Sequence, residues 1–184
     1  MHICVYGAAS EAIDKRYLEG ATELGRRIAM AGHTLVYGAG ATGVMGACAR
    51  GCYEAGGKIV GIVPSFFEEP SFRKPDIEET GVEKTGRLFP HCTEMIFTET
   101  MRERKQLLED RSDVYIVAPG GIGTMDEFFE ILTLRTLGQH PKPVILWNLH
   151  GCWDDLIRLL DNFVANGFMS KENRDMVQVM ETLW

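Results

Sequence analysis

Short apolar runs alternate along the chain with longer segments in which apolar positions recur every three to four residues. The runs are "HICVY" (2–6), "HTLVY" (33–37), "KIVGIV" (58–63), "EMIFT" (94–98), "DVYIVA" (113–118) and "KPVILWN" (142–148). Their length and their β-branched and aromatic content predict strands. Between the first two runs, Leu18, Ala21, Leu24, Gly25 and Ile28 fall on one face of a helix near 14–31. "GVMGACARGCYEAGG" reads as a helix closed by the Gly56-Gly57 pair. Residues 100–111, 124–138 and 152–166 carry the same periodicity, and a last helix is expected over 171–181.

This alternation implies βαβ units. "VYIVA" and "VILW" are apolar at nearly every position, as strands covered on both faces must be. The predicted fold is α/β: a Rossmann-like, doubly wound, mainly parallel sheet with helices on both faces. The length, 184 residues, fits one domain, 1–184. The segment 66–92 breaks the pattern. It is charged and proline-punctuated, and is long for a plain connection; a functional loop, a lid, a short helical excursion and a solvated surface loop all fit it.

In an open parallel sheet, ligands bind beyond the carboxyl ends of the strands. Three predicted strands end in small-residue turns that lead into helices: "VYGAAS", "VYGAGATGVMG" and "VAPGGIGT". Amides exposed at a helix start, with the helix dipole behind them, suit a phosphate. The candidate binding residues are Gly7 and Ser10 in the first turn and Gly38, Gly40 and Gly43 in the second. The third contributes Gly120, Gly121, Ile122, Gly123, Thr124, Met125 and Asp126. A nucleotide or a sugar phosphate fits such an edge; purely structural turns are the competing reading. No GxxxxGK[ST] occurs, which argues against a P-loop kinase or ATPase. "GAGATG" matches GxGxxG but follows the second strand, a poor fit to hydride-transfer enzymes.

Composition narrows the classes further. The net charge of −7 gives no basis for binding nucleic acid or an acidic membrane surface, so an anion must be held locally. No apolar stretch approaches the ~20 residues that span a bilayer. The start, "MHICVYGAAS", lacks a signal-peptide pattern. The five cysteines, an odd number without a CxxC, predict buried free thiols and a cytoplasmic protein. The five histidines are scattered, with no metal-ligand spacing, and no GxSxG elbow is present.

Two constellations carry candidate chemistry. Glu127 stands three residues after Thr124, a spacing that fits a capping box and also sets a carboxylate one turn from the glycine turn. Asp126 suits the helix dipole, and Thr133 could line the inner face. In "TETMRERKQLLEDRSD", Thr100 and Glu103 form a second candidate capping box. Arg102, Arg104 and Lys105 crowd the first turn, where positive charge opposes the dipole unless an anion compensates. A solvated basic face is one reading. The other turns Arg104 or Lys105 toward a ligand, arginine being suited to forked contact with phosphate.

These residues resemble a known family. "PGGIGTMDE" is similar to the PGGxGTxxE signature, and "MRERK" to the MxxRK signature, of the LOG proteins, cytokinin riboside 5′-monophosphate phosphoribohydrolases long labelled possible lysine decarboxylases. "CVYG", "LVYGAGATGVMG", "VGIVP", "LGQHPKPVILWN", "DDLI" and "NGFMS" follow in the family's order, so the resemblance runs nearly end to end. It implies a Rossmann-like homodimer that hydrolyses the N-glycosidic bond of a purine nucleoside 5′-monophosphate, AMP or a cytokinin type, to free base and ribose 5-phosphate. It implies Arg104 and Glu127 as catalytic residues, with Lys105, Gly121 to Thr124 and Thr133 binding substrate. It implies no metal and no organic cofactor. Two turns depart from the family: "GAAS" stands where GSS is common, and Ala39 adds a methyl where YGGG is usual. Both bear on substrate preference. A non-catalytic nucleotide- or cofactor-binding module is the alternative; lysine decarboxylation fits least, since no lysine context suggests a pyridoxal Schiff base.

Overall fold

The structure, a computed structural model, describes residues 1–68 and 88–183. Among the described residues seven strands form one sheet: β1 (His2–Tyr6), β2 (Thr34–Tyr37), β3 (Lys58–Pro64), β4 (Glu94–Thr98), β5 (Val114–Val117), β6 (Val144–Trp147) and β7 (Val177–Met180). Every neighbouring pair is parallel, in the order β4-β3-β2-β1-β5-β6-β7. The chain runs outward from β1 to β4, then returns past β1 to add β5, β6 and β7. The direction of winding therefore reverses between β1 and β5, which pair from Ile3↔Val114 to Tyr6↔Val117. That reversal point is where open α/β sheets hold ligands.

The strand pleat divides the core in two. Ile3, Val5, Leu35, Tyr37 and Ile59 pack with helices α1 (Lys15–Met30) and α2 (Gly43–Glu54), through Ala21, Leu24, Ile28, Ala47 and Cys48. Cys4, Tyr6, Val36, Val60 and Ile62 point the other way. They meet Leu108 of α3 (Met101–Asp110), Phe128, Ile131 and Leu132 of α4 (Ile122–Thr136), and Leu156 and Leu160 of α5 (Asp154–Ala165). Both clusters contain fully enclosed aliphatic side chains, whose truncation to alanine typically costs ~2–5 kcal/mol each.

All six expected strands are present, and the doubly wound arrangement is as the alternation predicts. The expected last helix is not. Residues 171–175 form α6 (Lys171–Asp175), capped by Ser170, whose Oγ accepts from the Asn173 amide at 3.1 Å. The chain then turns into β7, which extends the sheet from β6 through Val144↔Val177 to Trp147↔Met180. "VQVM" alternates a buried Val177 with an exposed Gln178, a strand too short for the pattern to outweigh the preceding helical residues.

Most of the proline-punctuated segment lies outside the described residues. Its described start is a 3-10 turn at Ser65–Glu68, and its end returns to the second glycine turn. There Leu88 bridges Gly40, and the Phe89 amide donates to the Ala39 carbonyl at 2.9 Å. All five cysteines are free; Cys4, Cys48 and Cys52 are buried. Among the described residues no helix is long and apolar enough to cross a membrane.

Candidate active site

The three glycine turns follow β1, β2 and β5, which are consecutive in the sheet, so they meet at one edge. Hydrogen bonds stitch them together. The Ala8 amide donates to the Pro119 carbonyl at 3.0 Å, and the Met45 amide to the Ala8 carbonyl at 3.2 Å. Thr42 Oγ1 donates to the Ala9 carbonyl at 2.7 Å. Ala39 adopts a φ of 61°, the left-handed region that disfavours any side chain. The backbone there is the one a glycine would adopt freely, and the alanine bears the strain.

The third turn opens α4. Its N-cap is Gly121, with φ −109° and ψ −148°, and no side chain caps it. The first helical bond runs from the Met125 amide to the Gly121 carbonyl at 3.0 Å. The amides of Ile122, Gly123 and Thr124 therefore have no partner within the helix. Gly121, Ile122 and Gly123 are exposed, and a Cβ built on Gly121 or Gly123 meets nothing within 4 Å. Thr124 is buried, with its hydroxyl folded against Gly120, where an added Cβ falls 2.0 Å from Oγ1. The capping-box reading of Thr124 and Glu127 is thus corrected: the helix starts earlier, and both residues lie inside it.

Freed from capping, Glu127 turns inward to Arg104. In α3 the other capping box forms: Thr100 Oγ1 accepts from the Glu103 amide at 3.1 Å. The Glu103 carboxylate reaches back one residue further than usual, to the Glu99 amide at 2.8 Å. Arg104 and Leu108, one turn apart, form the buried stripe of α3. Arg104 Nη1 donates to Glu127 Oε1 at 2.7 Å, and Arg104 Nε donates to the Ile62 carbonyl at the end of β3 at 3.3 Å. Both residues are 8% exposed. Burial raises the Glu127 carboxyl above its ordinary pKa, and the Arg104 guanidinium beside it opposes that shift.

The remaining expected residues are placed as follows. Lys105 bridges helices, with Nζ 3.0 Å from Asp126 Oδ2 and 2.5 Å from Glu130 Oε2. The Glu130 contact is an ion pair by distance, but its angles do not make a hydrogen bond. Lys105, Ile122, Met125, Asp126 and Thr133 line a groove of about 630 Å³ with Phe129, Glu130 and Leu134. Arg104 and Glu127 are not among its lining residues, so the broad concavity lies beside the pair rather than over it. Ser10 is exposed and accepts from the Ala12 amide of its own loop at 3.2 Å. Gly7 packs on Val44, Gly40 on Met45, and Gly43 on the first turn.

The residue pattern did not single out Ile62, Met45 or Tyr6. Ile62 acts through its carbonyl, which no side-chain motif reports. Met45 lies across the second turn, its Cε 2.8 Å from a Cβ placed on Gly40. Tyr6 shares a small cavity of about 10 Å³ with Lys105, Glu109, Glu127, Glu130 and Ile131.

A parallel sheet with small-residue turns at its winding reversal, and with helices on both faces, defines a Rossmann-like α/β protein. The family model described as "possible lysine decarboxylase" matches residues 45–183, and the chain belongs to this family, that of the LOG proteins. It is 36% identical over 181 residues to the cytokinin riboside 5′-monophosphate phosphoribohydrolase of Mycobacterium tuberculosis, covering 98% of this chain and 88% of the relative. It is 33% identical over 172 residues to the Arabidopsis thaliana enzyme of the same name, LOG5, covering 94% and 69%. Among solved structures, the molybdenum cofactor carrier protein of Chlamydomonas reinhardtii superposes with a TM-score of 0.67 at 24% identity, covering 97% of this chain and 88% of that one. The molybdenum cofactor binding protein of Rippkaea orientalis superposes with a TM-score of 0.64 at 23% identity, covering 98% and 88%. These two likenesses establish the fold.

Proposed function

We propose that the protein is a phosphoribohydrolase that cleaves the N-glycosidic bond of a purine nucleoside 5′-monophosphate, of AMP or cytokinin type, releasing free base and ribose 5-phosphate. The observation that carries this reading is the buried Arg104–Glu127 pair, 2.7 Å apart, with Glu127 on the same helix whose first amides, those of Ile122, Gly123 and Thr124, have no partner within the helix. The names of the 31–36% identical relatives support the same substrate class.

In this reading the 5′-phosphate anchors on the start of α4, and its binding energy orients the sugar. As the bond to the base breaks, positive charge develops at the anomeric carbon. Glu127 stabilises that charge and orients the attacking water; the water oxygen bonds to the carbon, the bond to the base breaks with its electron pair going to the base, and the proton the water loses passes to the departing base. Arg104 positions Glu127 and the sugar phosphate, and offsets part of the effect of burial on the carboxyl. Two copies of the chain pair, as the family resemblance implies. The protein works in the cytoplasm.

A module that only binds nucleotide has no use for a carboxylate buried beside an anion site. Lysine decarboxylation fits least, since no lysine in the sequence stands in a context that suggests a pyridoxal Schiff base. The test is chromatography of products after incubation with a panel of nucleoside monophosphates. AMP-like substrates are expected to give free base, and Glu127→Gln and Arg104→Ala each to lower the rate by about 10²–10⁴-fold. Near-normal release by both variants, or saturable binding without release by the native protein, would contradict the proposal.

A further inference from the structure

We infer that Gly38 is a positioning residue for Arg104: its bare Cα leaves the space that the guanidinium occupies, and so sets the geometry of the Arg104–Glu127 pair. A Cβ built on Gly38 falls 2.1 Å from Arg104 Nη2 and 3.2 Å from Arg104 Cζ. Its next neighbour, Met45 Sδ, is at an ordinary 3.5 Å. Gly38 is not among the residues with positive φ, so its backbone accepts alanine, and the conflict is with Arg104 alone.

The arginine cannot yield without losing its other partners. Nε is held by the Ile62 carbonyl at 3.3 Å and Nη1 by Glu127 at 2.7 Å, and the end of β2 closes the third side. The floor of the pair is therefore the second glycine turn. Gly38, expected among the substrate-binding residues, also acts on the pair through Arg104. A single methyl there displaces the guanidinium by an ångström or more, and misplacement on that scale costs about 10²-fold in rate.

The consequence for catalysis rests on the hydrolase reading; the geometric claim does not. The test is a double-mutant cycle of Gly38→Ala and Arg104→Ala. Thermal melting is read in all four proteins, and base release from AMP across pH in native and Gly38→Ala protein. Gly38→Ala is expected to lower the melting temperature when Arg104 is present and to leave it unchanged in the Arg104→Ala background. It is also expected to lower kcat/KM about 10²-fold and to move the acid limb of the pH profile upward, because Glu127 loses its counter-charge. Asp126, Lys105, Tyr6, Glu109 and Glu130 also surround that carboxyl and are untouched by the variant. Equal melting losses in both backgrounds would overturn the inference, as would a Gly38→Ala enzyme with native rate and pH profile. A coupled melting cycle in a protein that releases no base would uphold the seating of Arg104 and refute the hydrolase reading alone.

Discussion

Glu127 pays for its position. A carboxylate 8% exposed on the inner face of α4 loses most of its hydration, and one arginine returns only part of it. Its folded-state pKa therefore lies above the ~4.3 of an unfolded glutamate. The folded chain takes up the proton more readily than the unfolded one, so stability from this group is fully present below about pH 4.3 and is lost as pH rises through the folded value. Relative to Glu127→Gln, the native protein should lose melting temperature as pH climbs from 4 toward neutrality. A difference that moves in the native protein's favour over that range would mean that Arg104 outweighs burial. The pairing itself was not legible from spacing. Arg104 and Glu127 are 23 positions apart, and Thr124 with Glu127 fits a capping box. Only the family signatures pointed to the pair.

At the scale of elements, the turns are what the sequence displayed most openly. Strands buried on both faces read as unbroken apolar runs, and the glycine clusters marked where three of them end. Helix starts were less legible: in "PGGIGTMDE" the first capping side chain in sequence is Thr124, but α4 begins at Ile122 behind a bare glycine. β7 was missed because half of its four residues face solvent. The first and second turns depend on each other through Gly43, at φ 62°. A Cβ there falls 2.4 Å from the Ala8 carbonyl oxygen and 2.7 Å from that of Ser10, both backbone atoms that cannot simply rotate away. Gly43→Ala is expected to cost about 1–3 kcal/mol, a loss of several degrees in thermal melting. An unchanged melting temperature would show that the two turns are not locked together.

Across the whole molecule, the winding reversal between β1 and β5 gathers turns, amides and the ion pair at one edge. Glu127 and Arg104 come from helices on one face of the sheet, and the floor beneath them from strand ends, Ile62 of β3 and Gly38 after β2. This division lets an acidic protein, of net charge −7, offer the proposed anion site without a basic surface. The central claim is geometric, and a crystal structure of Glu127→Gln with AMP bound tests it most directly. The expected result is the phosphate on the amides of Ile122, Gly123 and Thr124, with the anomeric carbon about 3–3.5 Å from the residue-127 side chain or from a water it holds. A nucleotide bound with its phosphate elsewhere, or with its sugar turned away from residue 127, would contradict the account.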